Sequence, residues 1–248
     1  MSYDIFMIAY GEPNAGENWQ RLRHRAPEAR LIENVQGAFS CYAACAAAAR
    51  TPFFFSVDAD NWVLDGFNFE VDFEPRTSEI AMWQSRNPVN GLEYGHGAIK
   101  LFPTASMLAS AKRGGFDQAI DFPTLVPANR YIRVCASEHR FNGDAYSSWA
   151  AAFRECAKLA LATRLGRGPE DRKVASFWLK AWCTRRKPEA AYGDWCLRGA
   201  AEGRAFGLEH LSDLEELGRC INDYAWLRAR FREQHVRRIP IPTSTGES

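Results

Sequence analysis

Apolar runs and helical spacings alternate along the first sixty residues. Tyr3 to Tyr10 is a short apolar run, broken by Gly11-Glu12-Pro13-Asn14, and Gly16 to Leu22 starts a short helix. Arg30 to Val35 predicts a second strand, and Gly37 opens an alanine-rich helix through Arg50. Pro52 to Val57 is a third strand, aromatic and β-branched, ending at Asp58-Ala59-Asp60. Unbroken apolar runs suit strands buried on both faces. Their alternation with helices predicts a mostly parallel sheet flanked by helices. From Glu79 to Pro103 the pattern is shorter and richer in glycine, which predicts added strands and loops. Beyond Tyr146 the period turns helical: Trp149, Ala152, Phe153, Cys156, Leu159 and Ala160 share one stripe, and further helices are expected at 170–187, 189–207 and 210–235. The organisation implied is an α/β domain over 1–145, an all-helical lobe over 146–238 and a frayed tail over 239–248, with no internal repeat.

Composition narrows the class without naming a function. At 248 residues, 46% apolar and 25% charged, the chain can bury a large core. A disordered chain, a collagen-like fibre and a disulfide miniprotein are excluded. Seven scattered cysteines (Cys41, Cys45, Cys135, Cys156, Cys183, Cys196, Cys220) form no CxxC pair. They are expected to be reduced thiols, which suits the cytoplasm. The opening MSYDIFMIAYGEP has no basic segment, so no signal peptide is expected, and the run Ala43 to Ala49 is too short to span a bilayer.

The net charge of +1 hides an asymmetry. Residues 1–150 carry 13 basic against 17 acidic side chains, and residues 151–248 carry 18 against 13. Between Arg164 and Lys187, eight basic residues (Arg164, Arg167, Arg172, Lys173, Lys180, Arg185, Arg186, Lys187) face only Glu170 and Asp171. Such a lobe points to a polyanionic partner.

Chemistry concentrates at Phe53-Phe54-Phe55-Ser56-Val57-Asp58-Ala59-Asp60. Two carboxylates one residue apart stand just past the end of an apolar strand, where open α/β sheets bind ligands. Asp58 and Asp60 share one side if the chain stays extended. Their hard oxygens suit Mg²⁺ or Mn²⁺. A second informative stretch, Asn87 to Lys100, sets three glycines around Glu93, Tyr94 and His96, permitting close backbone approach to a ligand. His96 or Lys100 can reach an anionic leaving group. A carboxylate base, where one is needed, is open among Glu93, Asp117 and Asp121.

The order of these pieces resembles the GT-A (Rossmann-like) fold of nucleotide-sugar glycosyltransferases, over roughly residues 1–145 and with the Asp-x-Asp as its one sharp element. The resemblance implies a nucleoside diphosphate sugar as donor, UDP-sugar foremost, with Ala9, Tyr10, Glu12, Asn14, Asp58, Ala59 and Asp60 binding it. It implies Asp60 as main metal ligand, Asp58 on metal or ribose, and His139 as a late metal ligand. Glu12-Pro13-Asn14, Asp60 to Asp65, Asn87 to Gly91 and Phe153 to Cys156 are further similar to bacteriophage glycosyltransferases linked to hypermodification of DNA bases. That implies a hydroxymethylated pyrimidine in DNA as acceptor, with the basic lobe on its phosphates and Trp62, Trp83 or Tyr94 holding a flipped base.

Three rivals remain. A haloacid-dehalogenase-like phosphatase expects threonine or valine where Trp62 stands. A sugar nucleotidyltransferase expects a basic glycine-rich loop that Gly11-Glu12-Pro13-Asn14 lacks. A nucleic-acid-binding module leaves Asp58-Ala59-Asp60 without a role.

Overall fold

A computed structural model describes residues 2–95, 98–113, 128–166 and 168–236. Its centre is a mixed sheet of eight strands: β1 (Asp4–Ala9), β2 (Arg30–Glu33), β3 (Phe53–Asp58), β4 (Asn61–Val63), β5 (Glu79–Arg86), β6 (Glu93–Tyr94), β7 (Ile99–Pro103) and β8 (Ala128–His139). They run in the order β2-β1-β3-β7-β5-β8-β4, with β6 on β5. The half formed by β2, β1 and β3 is parallel, as the strand–helix alternation predicts. The other half departs from the expectation of a mostly parallel sheet. There β7 runs antiparallel to both β3 and β5, and only β5 and β8 pair in parallel. The cause is local: β5, β6 and β7 are joined by connections too short for a crossover helix, and short connections impose antiparallel neighbours.

Alternation along each central strand explains the unbroken apolar runs. Ile5 and Met7 of β1 with Phe53, Phe55 and Val57 of β3 face one core, packed under helix α1 (Ala15–Arg25) and the segment around Phe67 and Phe69. Phe6 and Phe54 face the opposite core, closed by α2 (Ala38–Ala48) and α3 (Thr104–Arg113). Both faces are therefore covered, and these strands are apolar but for Ser56 and the residues at their ends.

Among the described residues five helices follow the sheet: α4 (Ala145–Leu165), α5 (Pro169–Thr184), α6 (Gly193–Glu209), α7 (Leu214–Asn222) and α8 (Tyr224–Phe231), and then a short π-helical turn, Arg232–Val236. The single helix expected over 210–235 is divided. Asp213 caps α7 by accepting from Glu216 N, and Asp223 caps α8 by accepting from Ala225 N and Trp226 N. Each aspartate satisfies backbone donors only by leaving helical geometry itself, so each starts a new helix. Against α4, helix α6 presents Gly199, Gly203 and Gly207, whose missing side chains let the backbones of Trp149, Phe153 and Ala157 approach. The helices are joined to the sheet half through one shared core: Val89, Leu92, Tyr94 and Phe141 pack among Ala152, Cys156, Leu179 and Trp182.

Candidate active site

Asp58 ends β3, and its backbone N–H reaches Ala98 O at 3.0 Å. Ala59 then continues the parallel pairing with β1, bonding Ile8 O at 3.0 Å, while its own carbonyl accepts from the buried Asn18 Nδ2 at 2.7 Å. The chain turns at Ala59-Asp60 instead of staying extended, and rejoins the sheet as β4 on its far edge. The carbonyl of Asp60 accepts from Arg140 N at 2.7 Å, pinning the turn to the end of β8. Four elements thus deliver side chains to one place: the loop after β1 (Glu12), the β3–β4 turn (Asp58, Asp60), β7 (Lys100) and β8 (His139).

Their pairings are specific. Lys100 Nζ lies 3.4 Å from both carboxylate oxygens of Asp58. It is 4% exposed and also sits over the Tyr42 ring at 5.1 Å. His139 Nε2 lies 2.8 Å from Asp60 Oδ2, and Asn61 Nδ2 donates to Asp60 Oδ1 at 2.7 Å. Behind Asn61, its own carbonyl oxygen accepts from Ser85 Oγ and Ser137 Oγ, each at 3.1 Å, a buried polar brace between β4, β5 and β8. Asp60 is therefore held on two sides, by an imidazole and by an amide that is itself fixed.

Electrostatics bind the cluster together. Desolvation pushes the Asp58 carboxyl up to about 6, with the charge of Asp60 adding and Lys100 opposing. Burial alone would lower His139, but the Asp60 carboxylate and then Asp58 outweigh it and raise the imidazole. Desolvation also raises Glu12, whose carboxylate accepts from Tyr10 N at 2.6 Å, and both Asp60 and Asp58 add to that rise. Cys41, on α2, is held at about 11 by burial and by the same acids. Glu155 of α4 contributes its charge to His139 and links outward to Tyr94 OH at 2.7 Å and Lys158 at 3.2 Å.

The donor set, carboxylates plus one imidazole, has the chemistry of a hard divalent-cation site. As arranged, Lys100 and His139 answer the charges of Asp58 and Asp60, and among the described residues no group of three or more His, Cys, Asp or Glu side chains is placed to hold a metal ion.

The other expected residues border the cluster or lie apart from it. Glu93 is taken by Arg86 Nε at 2.8 Å on the β5–β6 surface. Asn14 Nδ2 donates to Arg140 O at 2.7 Å, tying the start of α1 to the end of β8. Ala9 pairs with Glu33 inside the sheet. Tyr10 is 42% exposed and stacks near Tyr224, ring centroids 5.6 Å apart. His96, Asp117, Asp121 and Arg167 lie outside the described residues.

Two suggested base platforms are corrected. Trp83 is 3% exposed and packed among Phe55, Phe67 and Phe73, while Tyr94 is equally buried and accepts from Trp182 Nε1. Both are core, because each face of each ring is already covered. Trp62 carries Arg140 over its ring at 3.9 Å and Arg21 at 5.0 Å.

The basic set also divides. Arg186 pairs with Asp194 at 3.2 Å, Lys173 with Glu170 at 3.9 Å, and Arg172 donates to Gly166 O at 3.1 Å. Arg185 lies over Phe177, and Lys187 N bonds Val89 O. Arg164 and Lys180 line a cavity of their own.

Sequence reasoning overlooked Asn18, Asn61, Cys41 and Glu155. Asn61 carried a signal, since it directly follows Asp60. The other three are distant in sequence and reach the site only through α1, α2 and α4.

No family model and no curated protein matches the sequence. Among solved structures, HddC from Yersinia pseudotuberculosis is similar over 54% of this chain and 92% of its own, at 11% identity and a TM-score of 0.39. Likeness at that level carries no argument about activity.

Proposed function

We propose that the protein is a metal-dependent glycosyltransferase, moving a sugar from a nucleoside diphosphate sugar, UDP-sugar foremost, to an acceptor hydroxyl. The observation that supports this most is the coupled cluster Glu12, Asp58, Asp60, Lys100 and His139 at the carboxyl ends of the parallel strands β1 and β3, where a nucleotide-binding crevice forms in open α/β sheets. To hold Mn²⁺ or Mg²⁺, Asp58, Asp60 and His139 would have to turn from their present partners toward one point, and the ion would then supply charge neutralisation to the diphosphate. Lys100 is a buried ammonium and stabilises the departing nucleoside diphosphate, while Asn61 and the Ser85–Ser137 brace keep Asp60 oriented.

In the reaction the bond from the anomeric carbon to the diphosphate oxygen breaks, its electron pair leaving with the nucleoside diphosphate. The acceptor oxygen forms the new glycosidic bond and gives up its proton to a base, for which the sequence offers Glu93, Asp117 and Asp121. For the acceptor we propose 5-hydroxymethylpyrimidine in DNA, as in bacteriophage base hypermodification, on the strength of the basic side chains Arg172, Lys173, Arg185, Arg186 and Lys187, which lie outside the cavity lined by Arg164 and Lys180.

A screen of nucleotide sugars with Mn²⁺ and hydroxymethylated DNA tests the reading. Expected products are a glycoside and a nucleoside diphosphate, and Asp60→Ala is expected to remove turnover at least 100-fold. Asp60→Asn, which keeps an oxygen acceptor beside Asn61 and His139, is expected to do the same with a smaller change in melting temperature and so separates lost chemistry from lost stability. Pyrophosphate as primary product would indicate a nucleotidyltransferase instead, and activity that survives excess chelator would overturn the assignment of Asp58 and Asp60 to a metal.

A further inference from the structure

Helices α4, α5 and α6 line a half-open surface cavity of about 440 Å³ that has no part in the cluster around Asp58. Its α4 wall is Thr163 and Arg164, roughly 12 Å along the helix from Glu155, the α4 residue whose charge reaches His139. Leu179 and Leu208 contribute apolar surface, and Arg164, Lys180 and Arg204, one from each helix, bring three positive charges to its edge. No carboxylate lines it, and among the described residues none of the three cations is paired with one. Lys158, Lys173, Arg186 and Arg219 of the same lobe each have a carboxylate within 4 Å, whereas Arg172, Arg185 and Lys187 meet only backbone or ring atoms, so what sets Arg164, Lys180 and Arg204 apart is their convergence on one hollow. Three like charges gathered on one concavity repel until an anion enters, and the concavity focuses their field.

Cys183 stands in the same wall. Its thiol is brought to about 7, first by the hydrogen bond from Cys156 and, against burial, by the charge of Arg204. Cys156, which does most of this, lies in the core behind the wall, and Arg204 is the cavity's own contribution.

We propose that this cavity is a second anion site, taking a phosphorylated small molecule of nucleotide size. The volume is within the range of small-molecule sites. The shape argues against a duplex backbone, because the cations converge from three helices on a hollow instead of lying in a row along a convex rod. The inference stands on Arg164, Lys180 and Arg204 and is independent of the reaction assigned to Asp58 and Asp60.

The full chain, in excess chelator so that no metal assists binding, is titrated with ADP, inorganic pyrophosphate, adenosine or a short DNA duplex. Binding is read by calorimetry and by the rate at which iodoacetamide alkylates Cys183, located by peptide mass. ADP or pyrophosphate is expected to bind and to slow Cys183 alkylation at least tenfold at saturation, with adenosine inert. K180Q and R204Q, both at exposed positions, are expected to weaken that binding tenfold or more at unchanged melting temperature, whereas Asp60→Ala leaves it intact. Protection by adenosine as strong as by ADP, protection by the duplex alone, no protection by any phosphorylated probe, or loss of binding in Asp60→Ala would each overturn the proposal.

Discussion

Cys183 differs from its neighbours because of what it accepts. Cys45 and Cys196 are pushed up by burial, Cys196 to about 12, as an apolar surround disfavours a thiolate. Cys183 instead receives the Cys156 thiol as donor and the field of Arg204, and these outweigh its half-burial. Its folded value is depressed, so its stabilising contribution is present above the ordinary thiol value and is lost as pH falls through about 7. The alkylation rate of Cys183 is expected to rise with a midpoint near that pH, and C156A is expected to move the midpoint toward about 8.5. A midpoint unmoved by C156A would show that the thiol pair has no such role. The acidic site follows the same logic, since Asp60 is defined less by its own position than by His139 on one oxygen and Asn61 on the other.

At the scale of elements, the contact between α4 and α6 rests on glycines. An ideal Cβ on Gly203 would collide with Phe153 O, a backbone atom that cannot swing aside. Gly203→Ala is therefore expected to destabilise the protein by about 2–3 kcal/mol despite its better helix propensity. Gly16, in the first turn of α1 with open space around it, is the control: Gly16→Ala is expected to stabilise by about 0.5 kcal/mol. Urea denaturation of the two variants decides whether close approach or propensity governs. Helix starts obey a second rule. Removing the Asp223 carboxylate strips acceptors from Ala225 N and Trp226 N, so D223A is expected to cost about 1 kcal/mol. A cost near zero would mean that α8 is held by Leu227 and Phe231 packing alone.

At the scale of the molecule, the charge asymmetry is a property of surface distribution. The side chains of Arg185, Arg186 and Lys187 leave the end of α5 beside the Asn87–Leu92 loop, where Lys187 bonds Val89. If this corner meets DNA phosphates, affinity falls with salt by about 0.9 log unit per log unit for each phosphate neutralised. The triple alanine variant is expected to lower that slope by about two, not three, because Asp194 already occupies Arg186. Nucleotide-sugar hydrolysis is expected to be unchanged, as none of the three reaches the acidic cluster. A slope identical to that of the unaltered protein would remove this corner from any DNA contact.

How much of this was legible in the chain follows from the range of the forces involved. The runs at Tyr3, Arg30 and Pro52, the break at Gly11, the helical stripe from Trp149 and the acidic pair after Val57 are local patterns, set by side-chain period and turn chemistry within a few residues. They predict β1, α1, β2, α2, β3 and α4 and place Asp58 and Asp60 at a strand end. The division of the last helix was written at Asp213 and Asp223, though a continuous apolar period masks such caps. What no local pattern carries is pairing at a distance. The antiparallel insertion of β7 beside β3 puts Lys100 against Asp58 across 42 residues, and β8 brings His139 to Asp60 across 79. Both pairings depend on strand order, which backbone hydrogen bonding and burial choose jointly over the whole sheet. The same holds for Arg164, Lys180 and Arg204: as sequence they are part of a solvated basic stretch and its continuation, and only the packing of α4, α5 and α6 turns three surface charges into the rim of one cavity.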